Sequence, residues 1–233
     1  MFDNFFERFS RAFLEDDCDG LLRIAEGLGN TMIIAVGALI IGIVLGILLA
    51  VTKVLPGKDP VTKFLAGLSN VYIAFFRGTP VIVQLLLMYF GIFATTDVDA
   101  LFVAILCFGM NSAAYVAEII RSGILAVDHG QMEAGRSLGL SYSTTLIKIV
   151  LPQAIKNILP ALGNELIVLI KETSVAGFIT VFDLTRAARA IVSTTYDAFV
   201  PYLFLALVYL VIVLVATWLV GLLERRMRQS DQR

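Results

Sequence analysis

Three charged side chains lie inside strongly apolar stretches of this sequence, where a charge is costly unless it is paired or hydrated. Glu118 and Arg121 are three residues apart, a spacing that places both on one face of a helix and favours an ion pair. Glu165 follows Asn164 in another apolar stretch, so it requires a polar partner or a water-filled cavity. Glu118 and Glu165 are also the candidate ion sites if the chain is an ion-coupled secondary carrier or a channel.

Other kinds of chemistry lack the residues that they need. His129 is the only histidine, and Cys18 and Cys107 do not have the spacing of metal ligands. The sequence contains no recognisable pair of nucleophile and base. It also contains no G-x-x-x-x-G-K-[ST] loop to hold the phosphates of a nucleotide. We therefore predict no catalytic residue and no metal site, and we expect this chain to bind no cofactor itself.

The composition predicts that most of the chain lies in lipid. Of its 233 residues, 58% are hydrophobic and 16% are charged, whereas about a quarter of the residues of a soluble domain are charged. The mean hydropathy is +0.87. The net charge of −1 gives no indication of a nucleic-acid partner. Since one small core cannot bury this much apolar surface, we predict an all-α membrane protein.

About five segments are long and apolar enough to serve as transmembrane helices, each of which needs about 20 residues. The predicted spans are 27–52, 64–94, 98–125, 146–170 and 200–223. The second span consists of two shorter apolar pieces, and we expect a single helix that is kinked before Pro80. The fourth contains lysines near its ends that can reach the interface.

The distribution of lysine and arginine predicts the orientation in the membrane. Twelve of the 18 lysines and arginines lie in the segments 53–77, 121–156 and 224–233, which alternate along the chain with the segments that hold the others. The remaining six lie in the other set, namely 1–30, 94–100 and 171–199. The positive-inside rule makes the first set cytoplasmic. The N-terminus is then outside the cell and the C-terminus is cytoplasmic.

This topology divides the chain into three parts. We expect an acidic extracytoplasmic segment at 1–26, a transmembrane domain at 27–224 and a basic cytoplasmic tail at 225–233. The transmembrane domain contains a cytoplasmic loop at about 128–152, which interrupts the apolar pattern with polar and turn residues.

The cytoplasmic loop is expected to contain a short helix at 132–138, which is too short to be stable without a surface to pack on. Ala134 and Gly135 keep one side of this helix thin, and Gly139 permits a positive φ at its end. Glu133 is expected near the N-terminal end, where it complements the helix dipole. Pro152 is expected to bend the chain as it re-enters the membrane. These features fit an ordinary surface helix as well as a docking helix.

The loop resembles the signature loop of ABC-importer permeases, which reads Glu-Ala-Ala, three residues, Gly, nine residues, Ile-x-Leu-Pro. At the family spacing this chain has Glu133, Ala134, Gly135, Gly139, Ile149, Leu151 and Pro152. Only Gly135 differs, because the family has a second alanine there. In that family the loop forms a coupling helix that docks in a groove of the ATPase subunit. The resemblance implies these ATPase-coupling residues: Glu133, Ala134, Gly135, Arg136, Gly139, Leu151 and Pro152.

Further motifs are similar to those of permeases that import polar amino acids. They include FRGTP at 76–80 and KETS at 171–174, and the likeness extends over most of 27–223. It implies a fold like that of type I ABC importer permeases, in a multi-pass protein of the bacterial cytoplasmic membrane. It also implies a separate ATPase dimer that binds ATP and Mg, a second permease subunit, identical or not, and an extracytoplasmic solute-binding protein.

A polar amino acid that crosses the bilayer must keep its ammonium and carboxylate groups solvated. Polar side chains inside the spans are the candidates for this path: Gln84, Tyr89, Asn111, Ser112, Tyr115, Asn164 and Glu165. Each of them could instead form a hydrogen bond between helices. The alternative function, an ion-coupled amino acid carrier or channel that uses Glu118 and Glu165, leaves the loop at 130–154 without a role.

Overall fold

The computed structural model describes residues 2–15, 19–54 and 59–228, and all regular structure in these ranges is helical. The helices are α1 (Phe2–Phe13), α2 (Gly20–Val54), α3 (Pro60–Gly78), α4 (Val81–Leu87), α5 (Ala100–Leu125), α6 (His129–Ser137), α7 (Tyr142–Thr145), α8 (Leu151–Glu172), α9 (Leu184–Thr195) and α10 (Phe199–Arg228). Wider π turns occupy Met88–Ile92 and Leu146–Val150, and a 3₁₀ helix occupies Thr173–Ile179. The prediction of an all-α protein is confirmed.

Four helical segments are long and apolar enough to cross a membrane alone, and a bent pair of helices supplies a fifth. The four are Gly20–Val54, Ala100–Leu125, Tyr142–Ile179 and Phe199–Met227, and the pair is Pro60–Gly78 with Val81–Ile92. The predicted count of about five is confirmed. The side on which each terminus lies and the limits of the three predicted parts stay predictions. Cys18 and the end of the predicted tail, 229–233, lie outside the described residues.

The second predicted span is broken rather than kinked. α3 ends at Gly78, and the next residue, Thr79, is extended, with φ −121° and ψ 146°. Because the proline ring disfavours helical geometry at the residue before it, Pro80 stops α3 and α4 begins anew. The two helices of the pair are bent by 105°. The position of the predicted bend is therefore right, but the prediction of one kinked helix is wrong.

The chain forms two compact units, the first made of Met1–Ala38, Val81–Phe108 and Val168–Val215. Its buried cluster joins α1 and α9 to the first turns of α2 and α10, and contains Ala12, Phe13, Ile24, Leu184, Ala187, Ala188, Ile191 and Val200. Asp183 caps α9 by accepting hydrogen bonds from the backbone N–H groups of Thr185 and Arg186, both at 3.1 Å. Burial raises the pKa of the Asp183 carboxyl, and these hydrogen bonds oppose the rise.

The second unit comprises Leu39–Pro80, Gly109–Ile167 and Ala216–Arg233. In it, the glycines of α2 allow a close approach of α5. A Cβ atom on Gly42 would lie 2.8 Å from Ser112 Oγ, and a Cβ atom on Gly46 would lie 2.6 Å from Val116 Cγ1. Small residues in place of larger ones let two membrane helices pack backbone to backbone. The contact between α2 and α5 therefore depends on these two glycines.

We expect Gly46→Ala to destabilise the protein by about 1 to 2 kcal/mol, because the added methyl group overpacks the contact with Val116 by more than its helix propensity contributes. Gly67→Ala is the matched control, since Gly67 is also helical and a Cβ atom there meets nothing within 4 Å. Thermal unfolding in detergent, followed by circular dichroism, measures both. Equal midpoints for the two variants would contradict the close packing of α2 on α5.

Candidate functional site

The candidate site is α6, which begins and ends at residues suited to those positions. Asp128 caps its N-terminus, and the carboxylate accepts a hydrogen bond of 2.7 Å from the N–H of Gly130. At the other end Gly139 has a φ of +82°. The N–H of Leu140 donates to the carbonyl of Gly135 at 3.2 Å, and that of Gly139 to the carbonyl of Arg136 at 3.0 Å. This is a Schellman ending, and it confirms the positive φ predicted for Gly139.

The helix starts three residues earlier than the predicted 132–138, because Asp128 can cap it there. Glu133 is therefore the fifth of nine residues and not part of the first turn. Its predicted role in complementing the N-terminal end of the helix dipole is wrong. The Glu133 side chain is exposed and forms no hydrogen bond or ion pair with any other described residue. It is free to contact a partner.

Gly135 seats α6 on the beginning of the fourth span. It is buried, and a Cβ atom there would overlap Thr145 Cγ2, lie 2.9 Å from Thr145 Oγ1 and lie 3.2 Å from Ile149 Cδ1. Thr145 itself is fully buried. These contacts explain why this chain has glycine where the resembled loop has a second alanine. Ala134, by contrast, is exposed, so the prediction that both residues form one thin side is wrong.

Two hydrogen bonds tie the seat of α6 to the rest of its unit. The hydroxyl group of Tyr142 in α7 donates to the carbonyl of Val54 at the end of α2, at 3.1 Å. Gln153 Nε2 in α8 donates to Gln131 Oε1 in α6, at 3.3 Å. Both α2 and the segment that contains α7 and α8 are candidate membrane spans. The α6 segment and the residues on which it packs are therefore connected to two spans.

A wider helical turn precedes Pro152, and the predicted bend at this residue stays a prediction. The N–H of Leu151 donates to the carbonyl of Leu146, five residues earlier, at the end of the π turn Leu146–Val150. Proline has no N–H, and its ring crowds the carbonyl four residues before it, so a π turn before Pro152 relieves the crowding. Leu151 is half-buried and Pro152 is exposed. The helix continues through this point.

The exposed surface of α6 includes a residue that the sequence analysis missed. Leu138 is 81% exposed although it is apolar, and it lies four residues after Ala134, on the same side of the helix. Glu133 and Arg136 are exposed beside this pair, and Arg136 Nη1 donates to the carbonyl of Leu140 at 3.2 Å. The feature of the sequence that indicates this surface is a small residue, Ala134, followed four residues later by the apolar Leu138. The result is a small apolar patch with charged neighbours.

Among the candidate path residues, Ser112 and Glu165 come together. Both are buried, and Ser112 Oγ donates to Glu165 Oε1 at 2.7 Å, which joins α5 to α8. Asn111 is buried and donates from Nδ2 to the carbonyl of Phe76 at 3.1 Å. Tyr115 is half-buried, and the Arg77 guanidinium lies 5.4 Å from the centre of its ring.

The remaining candidates are placed differently. Asn164 is exposed, although it precedes the buried Glu165. Gln84 is buried in α4 and Tyr89 is half-buried in the π turn after it, and both belong to the first unit. Ser112 and Glu165, both in the second unit, are therefore two candidates that a direct hydrogen bond brings together.

Glu118 forms an ion pair and is not an open carboxylate. Arg121 donates to it through Nε, at 3.0 Å from Glu118 Oε2, and also through Nη2. The predicted pairing at i, i+3 is confirmed. In the described ranges, no three side chains of His, Cys, Asp or Glu come together in an arrangement that could hold a metal ion.

Comparisons with known proteins agree with this architecture. The chain is 39% identical over 210 residues to the arginine transport system permease protein ArtQ of Bacillus subtilis (strain 168), covering 89% of this chain and 94% of that protein. It is 38% identical over 209 residues to a putative glutamine transport system permease protein GlnP of Rickettsia typhi, with the same two coverages.

A solved structure described as an amino acid ABC transporter with histidines superimposes with a TM-score of 0.83 at 42% identity, and the match covers 88% of this chain and 94% of that chain. The family model for the inner membrane component of binding-protein-dependent transport systems matches residues 42–229. That range contains α6 and most of the predicted spans. The chain therefore belongs to the family of binding-protein-dependent transport system inner membrane components.

Proposed function

We propose that this chain is the permease subunit of an ATP-driven importer of polar amino acids, and that α6 couples it to a separate ATPase. As a member of its family it is a multi-pass protein of the inner membrane. The observation that carries the proposal is the construction of α6. One side is locked against Thr145 and Ile149, and the opposite surface, with Glu133, is open to a partner.

The substrate class is supported by the relatives and by the polar groups of the spans. The names of the relatives specify arginine and glutamine, and the similar solved structure is that of an amino acid transporter. Ser112, Glu165 and Asn111 provide buried hydroxyl, carboxyl and amide groups within apolar helices. Such groups can replace water around the ammonium and carboxylate of a substrate, and they are the core of the proposed path.

The proposed coupling mechanism depends on α6 keeping a fixed position against the residues on which it packs. The side chains of Thr145 and Ile149 fill the space beside Gly135, so α6 cannot move closer to them. The hydrogen bonds of the Schellman ending fix the C-terminus of α6. Closure of two ATPase subunits on ATP and Mg would therefore move α6 as a unit. Through Thr145, Ile149 and Tyr142 the displacement reaches the fourth and the first span. This chain supplies the lever and the path, and the nucleotide is bound by the partner.

The complete importer is proposed to contain two permease subunits, an ATPase dimer and an extracytoplasmic solute-binding protein. Five spans are too few to enclose a polar path, so a second permease, identical or related, completes it. The ion-coupled carrier or channel is less well supported, because Glu118 is already neutralised by Arg121 and the construction of α6 has no role in it. Uptake by the reconstituted permease without ATPase and ATP would support the carrier and contradict the importer.

We expect Leu138→Glu to weaken association with the ATPase by about tenfold or more, as for the loss of a central interface anchor. The substitution places a charge in the apolar patch of α6 and affects no buried contact. Thr95→Glu adds the same charge on an exposed loop and serves as the control. Co-purification of the ATPase and substrate-stimulated ATP hydrolysis report the effect. Normal coupling in Leu138→Glu, with normal membrane insertion, would remove α6 from the interface.

Gly135→Ala is expected to reduce ATP-coupled uptake several-fold, because its methyl group pushes α6 away from Thr145. Thr145→Ser removes the overlapping methyl group and keeps the hydroxyl that donates to the Ser141 carbonyl at 3.0 Å. The double variant should recover part of the lost uptake, and Thr145→Ser alone should be close to wild type. A double-mutant cycle measures this coupling. Additive losses would contradict the direct contact.

Glu165→Gln is expected to raise the KM for a cationic amino acid such as arginine by about tenfold or more, if the carboxylate binds the cationic group. The KM for neutral glutamine should rise less, and basal ATP hydrolysis should not change. Asn157→Ala, at an exposed residue of the same helix that is not a path candidate, is the control. Equal losses for both substrates, together with reduced stability, would mean that Glu165 only joins α8 to Ser112.

A further inference from the structure

The first helix, α1, packs part of its apolar side on the protein and leaves part of it exposed. Its apolar residues recur at helical spacing: Phe5, Phe6, Phe9, Ala12 and Phe13. The rings of Phe9 and Phe13 lie 5.9 and 4.4 Å from the ring of Phe204 in α10. Phe6, however, is 74% exposed. α1 precedes the part of the chain that matches the family, which begins at residue 42.

Other exposed aromatic residues lie in or next to the short segment 196–198 between α9 and α10, where Asp197 accepts a hydrogen bond from Arg8 of α1. Tyr196 is 93% exposed and Phe199, the first residue of α10, is 62% exposed. None of the most apolar stretch of α10 is buried within the chain, so beyond the turns that pack on α1 this helix faces lipid or another subunit. Exposed aromatic rings at the start of a span are typical of the interface between hydrocarbon and water.

A cleft of about 520 Å³ lies between α1 and the turn before α10, and it has an excess of positive charge. It is lined by Arg8, Arg11, Thr195, Tyr196, Asp197, Ala198 and Phe199. Arg8 Nε donates to Asp197 Oδ2 at 2.6 Å, and this hydrogen bond holds the pKa of the Asp197 carboxyl below its usual range. Arg11 is exposed and has no polar partner among the described residues. Its charge is available for an anion.

We propose that α1 lies in the membrane interface and that this cleft binds the phosphate headgroup of an anionic phospholipid, with Arg11 as the main contact. An amphipathic helix with aromatic residues on one side and arginines beside them is suited to the interface between hydrocarbon and water. A guanidinium group binds phosphate through paired hydrogen bonds, and Tyr196 lines the same cleft. Phospholipid is favoured over a protein partner because Phe199, the first residue of the apolar helix α10, lines the cleft and is largely exposed.

The depth of α1 is tested with a single tryptophan. In the Trp218→Phe background, which removes the only native tryptophan, Phe6→Trp is introduced and the full chain is placed in lipid nanodiscs. Lipids with bromine near the headgroup end of the acyl chain should quench its fluorescence strongly, and lipids with bromine near the terminal methyl group weakly. Phe199→Trp is a second reporter that should behave alike. Absence of quenching at both positions would overturn the interfacial placement.

The headgroup site is tested with Arg11→Gln and the control Glu7→Gln, which is exposed on the same helix and has the opposite charge. Native mass spectrometry measures retained phosphatidylglycerol against phosphatidylcholine. Arg11→Gln should lower the preference for phosphatidylglycerol about fivefold, and Glu7→Gln should leave it equal or raise it. An unchanged preference in Arg11→Gln would overturn the proposal. So would weaker stimulation of ATP hydrolysis by the solute-binding protein with lipid retention unchanged, which would assign the cleft to a protein.

Discussion

Hydrocarbon offers a peptide group no hydrogen-bond partner, so the chain must satisfy its own N–H and C=O groups wherever it crosses the bilayer. This constraint explains why every candidate span among the described residues is helical. It applies to polar side chains as well, and among the described residues no buried side-chain nitrogen or oxygen lacks a partner. The Tyr72 hydroxyl donates to the carbonyl of Met110 at 2.7 Å, and Asn111 donates to that of Phe76.

The same constraint shapes the proposed transport path. A polar group that can bind substrate must have a partner when no substrate is present, or it would destabilise the span that contains it. The Ser112–Glu165 hydrogen bond meets this requirement by joining α5 to α8. A substrate that binds to Glu165 exchanges one polar partner for another. Binding can therefore alter the contact between two helices, which is the kind of change that a transporter has to pass on.

Close packing between helices has a different role, which is to transmit a movement between helices that share few hydrogen bonds. Gly46 brings α2 against α5, and Gly135 brings α6 against α7 and the π turn. At both places the space for a side chain is already filled by a branched neighbour, Val116 or Thr145. A nine-residue helix such as α6 would not be stable in isolation. Its cap, its Schellman ending and this contact together give it a single position.

Several features could be predicted from local sequence because their causes are local. A long uncharged apolar run forms a spanning helix in any context, as at 27–52, and a glycine after a short helix permits the left-handed ending found at Gly139. The pair of Glu118 and Arg121 follows from helical spacing alone. The start of α6 differs from the predicted one because Asp128 caps the helix three residues earlier, and this places Glu133 in the middle of the helix.

By itself, the sequence determined that the chain is helical, that it crosses the membrane about five times and that it carries the permease loop. Only the tertiary structure decided that Gly135 is buried while Ala134 is exposed. The same is true of the hydrogen bond between Ser112 and Glu165 and of the packing of Phe9 and Phe13 in α1 on Phe204. The physical reason is distance along the chain. Spans and turns arise from neighbouring residues, whereas these contacts join residues on separate helices, and their partners exist only once the helices have packed.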